Sequence, residues 1–323
     1  MPVSSVRANS NNHCQRCLLP AGVHLLDDFY PVGPQVLPDS SRLKQIELNP
    51  EGLCEYCARY LQNYDSNWLE QELVGFFAAL KASSKPLLLA LSGGKDSLSC
   101  LFLLREILGV SAQAFTYDNG FLPSSVLAQT ARICEDLNTP WEVIRSPLLE
   151  SFQAEYIPDP QGRLQAQTGL DFCQICAGQV KQTLMQICER DGLNYVAFGN
   201  KTYTRLNPKV SCLKTLPTLQ GGQLRMIHLL FALRTSTTQQ TEILAALNWQ
   251  DPGLSGYTSN CLVPGLVAAA RKRKTGFASD AGYIEMEYRS GAYTAEELRQ
   301  ILAAHSEPED LPLPPELSWQ TGP

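Results

Sequence analysis

The sequence predicts an α/β fold, a doubly wound parallel sheet with a cysteine-rich segment before it and a mainly helical C-terminal region after it. Apolar runs of strand length alternate with segments of helical periodicity between residues 87 and 198, an order typical of parallel sheets covered by helices. The first of these runs passes through a glycine turn into a helix. A hydrophobic content of 44% with 18% charged residues describes a globular chain, and 323 residues suggest about two domains.

The central motif starts with an apolar strand. Leu87–Leu91 is an unbroken apolar run, as in a strand buried on both faces of a parallel sheet. Gly93 and Gly94 then allow a sharp turn and a close approach of a ligand to the backbone. Helical spacing follows, with one apolar face predicted for Leu98, Leu101, Leu104 and Leu108. Free N–H groups and the helix dipole at such a turn bind anions, phosphate above all.

The turn itself, Ser92–Ser97, reads Ser-Gly-Gly-Lys-Asp-Ser. It lacks the four-residue glycine spacing of the P-loop and resembles the PP-loop of the ATP pyrophosphatases, which split ATP into AMP and pyrophosphate. The alternative is a tight turn without a ligand, in which Asp96 and Ser97 are ordinary helix caps. The resemblance implies ATP contacts for Ser92, Gly93, Gly94, Lys95, Asp96 and Ser97, with Lys95 and Asp96 also candidates for catalysis.

Further strands are predicted at Val110–Tyr117, Trp141–Arg145 and Tyr195–Phe198, with helices at Ser124–Leu137 and Gln179–Arg190. Ligands of doubly wound sheets bind beyond the carboxyl ends of the strands. We therefore expect Asp118–Gly120 and Gly199–Thr202 to face the same crevice as the PP-loop.

Polar residues at these strand ends are candidate ATP ligands. Asp118 either contacts ribose, helps to hold Mg2+, or is a plain turn residue. Gly199 and Asn200 are expected to bring backbone N–H groups to the α-phosphate. Lys201 either offsets phosphate charge or is solvated.

Eleven cysteines are a high, odd number, and several form Cys-x-x-Cys pairs, a pattern that favours metal or redox chemistry over a disulfide framework. Two such pairs suit a closed tetrahedral zinc site, formed by Cys14, Cys17, Cys54 and Cys57. The polar stretch around Pro31–Pro34 reads as an inserted loop. Metal binding would contribute about 10 kcal/mol to the folding of so small a segment. The alternatives are two redox pairs or free thiols.

Taken together, several motifs resemble the N-acetyl sugar amidotransferases, over nearly the whole chain. They are Cys14-x-x-Cys17-Leu-Leu-Pro20, Gly52-Leu-Cys54-x-x-Cys57, the PP-loop, Lys274–Asp280, Arg289-Ser-Gly291 and Tyr293-Thr-Ala-Glu296-Glu297. The resemblance implies an adenine nucleotide alpha-hydrolase-like fold with ATP, Mg2+ and Zn2+. It implies adenylation of an oxygen on a sugar or other small-molecule acceptor, followed by displacement of AMP by ammonia from a separate donor protein.

Three further cysteines depart from that family. Cys173 and Cys176 form another Cys-x-x-Cys pair, and Cys261 follows at a distance. The arrangement resembles that of PP-loop tRNA thiolases, in which three such cysteines hold a 4Fe–4S cluster with one open iron or carry sulfur as a persulfide. This alternative implies a sulfur-donor protein, with tRNA or a small molecule as acceptor. The cysteines could instead be small buried residues. A third alternative is a nucleotide-binding protein without catalysis.

The C-terminal half predicts mainly helices, around Met226–Leu233 and Thr241–Leu247, with a capping box at Thr294-x-x-Glu297 before the last one. His228 lies among apolar residues, as core or surface histidines do. The basic run at Arg271–Lys274 either clamps a phosphate-bearing substrate or a tRNA backbone, or forms a solvated face.

The predicted organisation has four parts: a zinc knuckle at 1–65, a PP-loop domain at 66–215, a helical substrate region at 216–305 and a tail at 306–323. The net charge of −6 and a pI near 5.3 argue against nucleic-acid binding through global charge. The N-terminus shows no apolar signal core and no run reaches membrane length. We therefore expect no membrane partner and a cytoplasmic location.

Overall fold

The computed structural model describes residues 12–25, 43–146, 156–158, 164–166, 171–218, 221–253, 260–261, 263–276 and 280–305. The predicted inserted loop at Pro31–Pro34 and the predicted tail at 306–323 lie outside this part of the chain. So do residues 277–279 of the Lys274–Asp280 motif.

The strands of the described chain are β1 (Gly22–Leu25), β2 (Leu43–Ile46), β3 (Leu87–Ala90), β4 (Ala112–Asp118), β5 (Trp141–Arg145), β6 (Tyr156–Pro158), β7 (Leu164–Ala166), β8 (Tyr195–Phe198), β9 (Leu213–Pro217) and β10 (Gln223–His228). The helices are α1 (Glu55–Asn63), α2 (Ser66–Ser83), α3 (Lys95–Phe102), α4 (Ser124–Asp136), α5 (Phe172–Asp191), α6 (Leu229–Ala232), α7 (Thr237–Ala246), α8 (Val263–Thr275), α9 (Asp280–Arg289) and α10 (Ala295–His305).

Six strands form the central sheet, in the order β5-β4-β3-β8-β10-β9. All neighbours in this sheet are parallel except β9, which pairs antiparallel with β10 at the edge. Strands β4 and β5 lie on one side of β3, and β8, β10 and β9 lie on the other. Helices connect β3 to β4, β4 to β5 and β5 to β8, whereas β8 is connected to its parallel neighbour β10 through the edge strand β9. The predicted α/β fold with a doubly wound, mostly parallel sheet is confirmed.

The central strand β3 is buried on both faces, as its apolar run predicts. Leu87 and Leu89 pack in one hydrophobic cluster with residues of α2 and α3, such as Phe76 and Leu98. Leu88 belongs to a second cluster on the other face, with side chains of α5. Because successive side chains of a strand point to opposite faces, this division shows that helices cover both sides of the sheet.

The N-terminal segment forms a small unit of its own. Strands β1 and β2 make an antiparallel hairpin, and the four cysteines at 14, 17, 54 and 57 pack with Leu19 and Ile46 in a separate buried cluster. Helix α1 starts at Glu55, so that Cys57 lies within its first turn. The four-cysteine centre, meaning these four residues, is the core of this unit.

Three sequence predictions differ from the structure in detail. The helix predicted at Met226–Leu233 is wrong for its first part, because Met226 to His228 belong to strand β10. Here buried Leu224 and Met226 alternate with exposed Gln223 and Arg225, the period of a strand covered on one face.

The predicted apolar face of the loop helix ends early, because a π-helical turn at Leu103–Ile107 follows α3 and leaves Leu108 36% exposed. Helix α5 starts earlier than the predicted Gln179, because Asp171 caps it by accepting the N–H of Gln174. Within the described residues no helix has the length and apolar character needed to cross a bilayer.

Candidate functional site

The Ser92–Ser97 turn, called the PP-loop below after the motif that it resembles, connects the carboxyl end of β3 to the start of α3. The Ser92 and Ser97 hydroxyls lie 3.1 Å apart, the Gly94 N–H points at Ser92 Oγ at 3.4 Å, and Ser97 Oγ donates to the Gly94 carbonyl at 3.1 Å. Gly93 has φ +79°, and a Cβ there would meet Thr130 Oγ1 at 2.6 Å. Two hydroxyls, backbone N–H groups and a helix N-terminus are therefore grouped as a phosphate site requires.

Asp96 is the centre of a charged network beside this loop. Its Oδ1 accepts from Lys95 Nζ at 2.9 Å and from Gln240 Nε2 of α7 at 2.7 Å, and lies 3.8 Å from Lys201 Nζ. Lys201 Nζ, on a side chain only 2% exposed, also donates to Gln240 Oε1 at 2.7 Å. Three elements distant in the chain thus meet at one carboxylate.

The charges of this network shift the pKa values of Asp96, Lys95 and Lys201. Burial acts to raise the pKa of Asp96, but the two lysines and the Gln240 hydrogen bond outweigh it and lower that pKa. Burial also acts to lower the pKa of Lys95, and the charge of Asp96 outweighs it and raises the pKa. Burial and the charge of Lys95 lower the pKa of Lys201. An ionised Asp96 therefore holds two ammonium groups close together, where an incoming polyphosphate would attract both.

The β8 loop, Gly199–Thr202, touches the PP-loop directly. A Cβ on Gly199 would meet the Asp96 carbonyl carbon and oxygen at 2.7 Å, so this close approach of two backbones requires glycine. The Nδ1–H of His228 donates to the Thr202 carbonyl at 2.8 Å. Burial lowers the pKa of His228 to about 4, so the ring is neutral and its contact is structural.

Helix α9 and the turn after it complete this side of the crevice. Asn200 Nδ2 donates to the Tyr283 hydroxyl at 3.0 Å, and the Tyr293 hydroxyl bonds Glu287 Oε2. Lys201 Nζ lies 5.4 Å from the centre of the Tyr293 ring, within cation–π range. Burial, and secondarily the charge of Asp96, raise the pKa of Glu287 to about 7.

Four of these residues were not singled out from the sequence: Gln240, Tyr283, Glu287 and Tyr293. Tyr293 belongs to one of the motifs of the family resemblance, which was the only available signal. The others lie on helices without a strong sequence periodicity, where a polar residue carries no signal until the fold shows what it faces.

Strand β4 runs parallel to β3, so the two strands end at the same carboxyl-terminal edge of the sheet. Asp118 Oδ1 accepts the Gly120 N–H at 2.9 Å, and Oδ2 is 3.8 Å from Nε of the exposed Arg145. These contacts are those of an Asx turn. Its role toward ribose or Mg2+ stays a prediction.

The three-cysteine group (Cys173, Cys176 and Cys261) is adjacent to this edge. One amide nitrogen, Asn119 Nδ2, lies 3.5 Å from Cys176 Sγ and 3.6 Å from Cys261 Sγ, so these two sulfurs are at most about 7 Å apart. Asn260 Nδ2, next to Cys261, donates to the Ser92 carbonyl at 3.2 Å. The structure thus brings cysteines of distant segments together against the PP-loop.

Burial keeps the Cys173 and Cys176 thiols protonated at neutral pH. It raises the pKa of Cys173 well above its ordinary value, although Arg271 acts in the opposite direction. Burial, followed by the charge of Cys261, raises the pKa of Cys176 to about 12. Reactive thiolates here would need a bound metal or another cation.

A buried ion pair joins the two segments that carry these cysteines. Arg271 of α8 contacts Asp171 Oδ2 through Nε at 2.9 Å and Nη2 at 2.5 Å, while Asp171 Oδ1 caps α5. Neither interpretation of the basic run holds for Arg271, which is neither solvated nor open to a phosphate. It instead ties α8, which follows Cys261, to the start of α5.

The four-cysteine centre has the geometry of a single metal site. Its four sulfurs all lie within 4.8 Å of one another, and it is the one such group found among the described residues. All four side chains are buried, and hydrogen bonds from the Cys17, Cys54 and Cys57 thiols lower the pKa of Cys14. Four convergent sulfurs fit one metal ion with closed tetrahedral coordination. A metal held there would have no open position and would stabilise the N-terminal unit without taking part in chemistry.

No family model matches this chain. A curated relative, an uncharacterized protein of Methanocaldococcus jannaschii, is 23% identical over 277 residues, covering 84% of this chain and 93% of the relative. Among solved structures, an NMN synthetase from Francisella tularensis shows 16% identity and a TM-score of 0.38, covering 83% of this chain and 99% of its own.

An NH3-dependent NAD synthetase from Campylobacter jejuni, solved with a nitrate ion, shows 19% identity and a TM-score of 0.31. That match covers 42% of this chain and 57% of the synthetase, just over half its length. Likenesses this weak carry nothing about substrate or mechanism.

Proposed function

We propose that this chain is an ATP-dependent enzyme that adenylates an oxygen atom of its substrate and releases pyrophosphate. The observation that carries the proposal is the Asp96 network, which joins two lysines and Gln240 beside the hydroxyls and N–H groups of the PP-loop. Positive charge held next to a helix N-terminus is suited to a polyphosphate.

Each residue has a role in that reaction. The Ser92 and Ser97 hydroxyls, the Gly93 and Gly94 amides and Lys95 bind the departing pyrophosphate. Asp96 orients both lysines, and Gly199 and Asn200 lie against the α-phosphate with Lys201. Asp118 contacts ribose or Mg2+, which neutralises phosphate charge when bound. Positioning and charge stabilisation supply the catalysis, because AMP is a far better leaving group than the original oxygen.

The second half-reaction replaces that oxygen, and the geometry favours sulfur. Cys176 and Cys261 share one amide nitrogen, and the segment of Cys261 bonds the PP-loop carbonyl of Ser92. Together with Cys173 they would hold an iron–sulfur cluster that presents sulfide from a donor protein in place of AMP. Alternatively, one of them would take sulfane sulfur from a persulfide of the donor protein, which leaves as a thiol. The outer sulfur would then displace AMP, and a neighbouring cysteine would release the product by forming a disulfide. Three sulfur ligands leave a cluster position open.

The second candidate is transfer of nitrogen, an amidotransferase of the sugar type. Its support is the set of motifs running from the four-cysteine centre, which would hold Zn2+, to Arg289 and Tyr293. In this case ammonia from a separate protein displaces AMP, and the three-cysteine group is structural.

The adenylation step is tested by AMP formation. Wild-type protein is first titrated with ATP by calorimetry, then screened for AMP release with nucleotide-linked sugars, other small metabolites and tRNA. We expect Ser97→Ala and Lys95→Ala to lower AMP formation at least 100-fold. Ser99→Ala is the matched control, since its hydroxyl only bonds the Lys95 carbonyl within α3. A wild type that neither binds ATP nor forms AMP would support the non-catalytic alternative.

The nature of the second step is tested separately. Protein purified without oxygen is assayed for iron and acid-labile sulfide, alongside Cys173→Ala and Cys261→Ala. Once the AMP-release screen has identified an acceptor, ammonium and sulfide are compared as donors, and the product is identified by mass spectrometry. Absence of cluster and persulfide from the wild type, with ammonium as the effective donor, would establish the nitrogen alternative.

A further inference from the structure

Helix α9 lies between the four-cysteine centre and the β8 loop. Helical residues four apart share a face, and α9 has two such pairs. Tyr283 and Glu287 reach the crevice, where they bond Asn200 and Tyr293. Arg289 and Glu285, on the other side of the helix, lie near the cysteine sulfurs. One helix therefore contacts both centres.

Arg289 makes the closest connection. Its Nε donates to Cys57 Sγ at 3.3 Å and its Nη2 points at Cys17 Sγ at 3.8 Å. Its third nitrogen, Nη1, donates to the Tyr203 hydroxyl at 3.1 Å. The residue is 4% exposed, so all three nitrogens point into protein, two toward sulfur and one toward the residue after the β8 loop.

Tyr203 extends this connection to the crevice. It follows Thr202 in the chain, is 1% exposed, and its ring packs against Phe231. Lys201, two residues earlier, contacts Asp96 and Gln240. A shift of Tyr203 would therefore move the lysine that faces the PP-loop.

Charge explains why the metal matters to Arg289. A buried guanidinium is costly unless it is paired. Four thiolates around one divalent ion carry a net charge of about −2, a strong partner for the guanidinium. Without the ion the four sulfurs are no longer held around one point, and Arg289 loses the fixed partners of its Nε and Nη2.

We propose that Arg289 is a positioning residue that couples metal loading of the four-cysteine centre to the geometry of the β8 loop, so that the loaded protein binds ATP more tightly. The metal centre is then part of the nucleotide site's support as well as of the N-terminal fold. The identity of the ligand as ATP rests on the proposed function, whereas the coupling between metal and loop does not.

The first test measures the coupling without a ligand. Hydrogen exchange is followed by mass spectrometry in the full-length zinc-loaded protein, in Arg289→Lys and in Tyr203→Phe. Wild type from which zinc has been removed is compared with them and should also exchange faster at residues 199–203. Lysine keeps the charge but loses the three-nitrogen fork, and phenylalanine removes only the hydroxyl that Arg289 contacts. We expect faster exchange at residues 199–203 in both variants, with β4 unchanged and zinc content still one per chain. Unchanged exchange at 199–203 in both variants would overturn the proposal.

The second test adds ATP by calorimetry. We expect an approximately 10-fold higher Kd in Arg289→Lys and a several-fold higher Kd in Tyr203→Phe. Arg59→Lys is the matched control, since it lies in α1 with Cys57 but pairs with the exposed Glu55, and its Kd should equal that of wild type. A merely structural role would lower the fraction of binding-competent protein and leave Kd unchanged, which contradicts the proposal.

These two readouts separate the possible failures. If wild type binds no ATP, the proposed function fails, and the exchange experiment still decides the coupling. If wild type binds ATP and neither readout responds to Arg289→Lys and Tyr203→Phe, the coupling fails and the proposed function stands.

Discussion

The protein contains two groups of cysteines that are built in opposite ways. In the four-cysteine centre the sulfurs lie within 4.8 Å of one another and are fully buried. In the three-cysteine group two sulfurs flank an asparagine amide, at most about 7 Å apart, and all three side chains are only partly buried. The four-cysteine centre fits a single metal ion whose four coordination positions are all filled by sulfur. The second is wider, and the residue next to Cys261 bonds the PP-loop. The spacing Cys-x-x-Cys is shared by both, so the surroundings distinguish them.

The largest expected difference between the two groups is in folding. Cys57→Ser should abolish tight metal binding and remove a contribution of about 10 kcal/mol to the folding of the N-terminal unit. Cys176→Ser should retain the metal and change the free energy of unfolding by about 1 kcal/mol. Metal analysis and thermal denaturation of both variants check this. Equal losses of metal and of stability in the two variants would contradict the assignment of a metal site to the four-cysteine centre alone.

The next effect concerns the ion pair that holds the three-cysteine group together. Arg271→Met leaves Asp171 buried without its cation, which should cost about 3–5 kcal/mol of stability. The four-cysteine centre should keep its metal. Lys81→Met, at an exposed position of α2, is the control and should be neutral. Chemical denaturation measures the cost, and loss of metal from Arg271→Met would show that the two centres are not independent.

A smaller effect depends on pH and is specific to the crevice. The pKa of Glu287 is raised to about 7, so the folded state binds this proton more tightly than the unfolded state. Its stabilising contribution is present below about pH 4.5 and is lost as pH rises through 7. Glu287→Gln should therefore gain stability over wild type between pH 5 and pH 8, by up to about 3 kcal/mol.

Denaturation curves at both pH values measure this gain. Glu135→Gln, at an exposed position, should show none. A gain that is the same at pH 5 and pH 8 would contradict the assignment of the raised pKa to Glu287.

The smallest effect is in thiol reactivity. With the pKa of Cys176 raised to about 12, its alkylation in metal-free buffer should rise about tenfold, or 1.4 kcal/mol, for each pH unit between 8 and 11. The metal-loaded four-cysteine centre should stay unmodified across this range. Peptide mass spectrometry after timed alkylation follows both groups. Rapid, pH-independent alkylation of Cys176 at pH 7 would show that its thiolate is already stabilised.

The sequence was most informative where the signal is local. The strands at Trp141–Arg145 and Tyr195–Phe198 match the structure residue for residue. The capping box is present, with the Thr294 N–H donating to Glu297 and the Glu297 N–H to Thr294. Convergence of four cysteines followed from their paired spacing, because two residues between thiols place both at one site.

What sequence reasoning missed depends on long-range contact. Gln240 lies 144 residues after Asp96, and no spacing rule connects a helical amide to a carboxylate that distant in the chain. Glu287 and Tyr283 are on a helix whose two faces serve different centres, which only the packing shows. Strand β10 was mistaken for helix because its short alternation passes directly into the apolar start of α6.

The contact at Gly199 has a consequence for the rigidity of the crevice. Where other clefts are spaced by side chains, which exchange rotamers on fast timescales, here two main chains meet with no room for a Cβ. The distance between the PP-loop and the β8 loop is therefore limited by the van der Waals radii of backbone atoms. Such a spacing changes little with temperature or with side-chain motion, so the width of the cleft is defined before any ligand enters it.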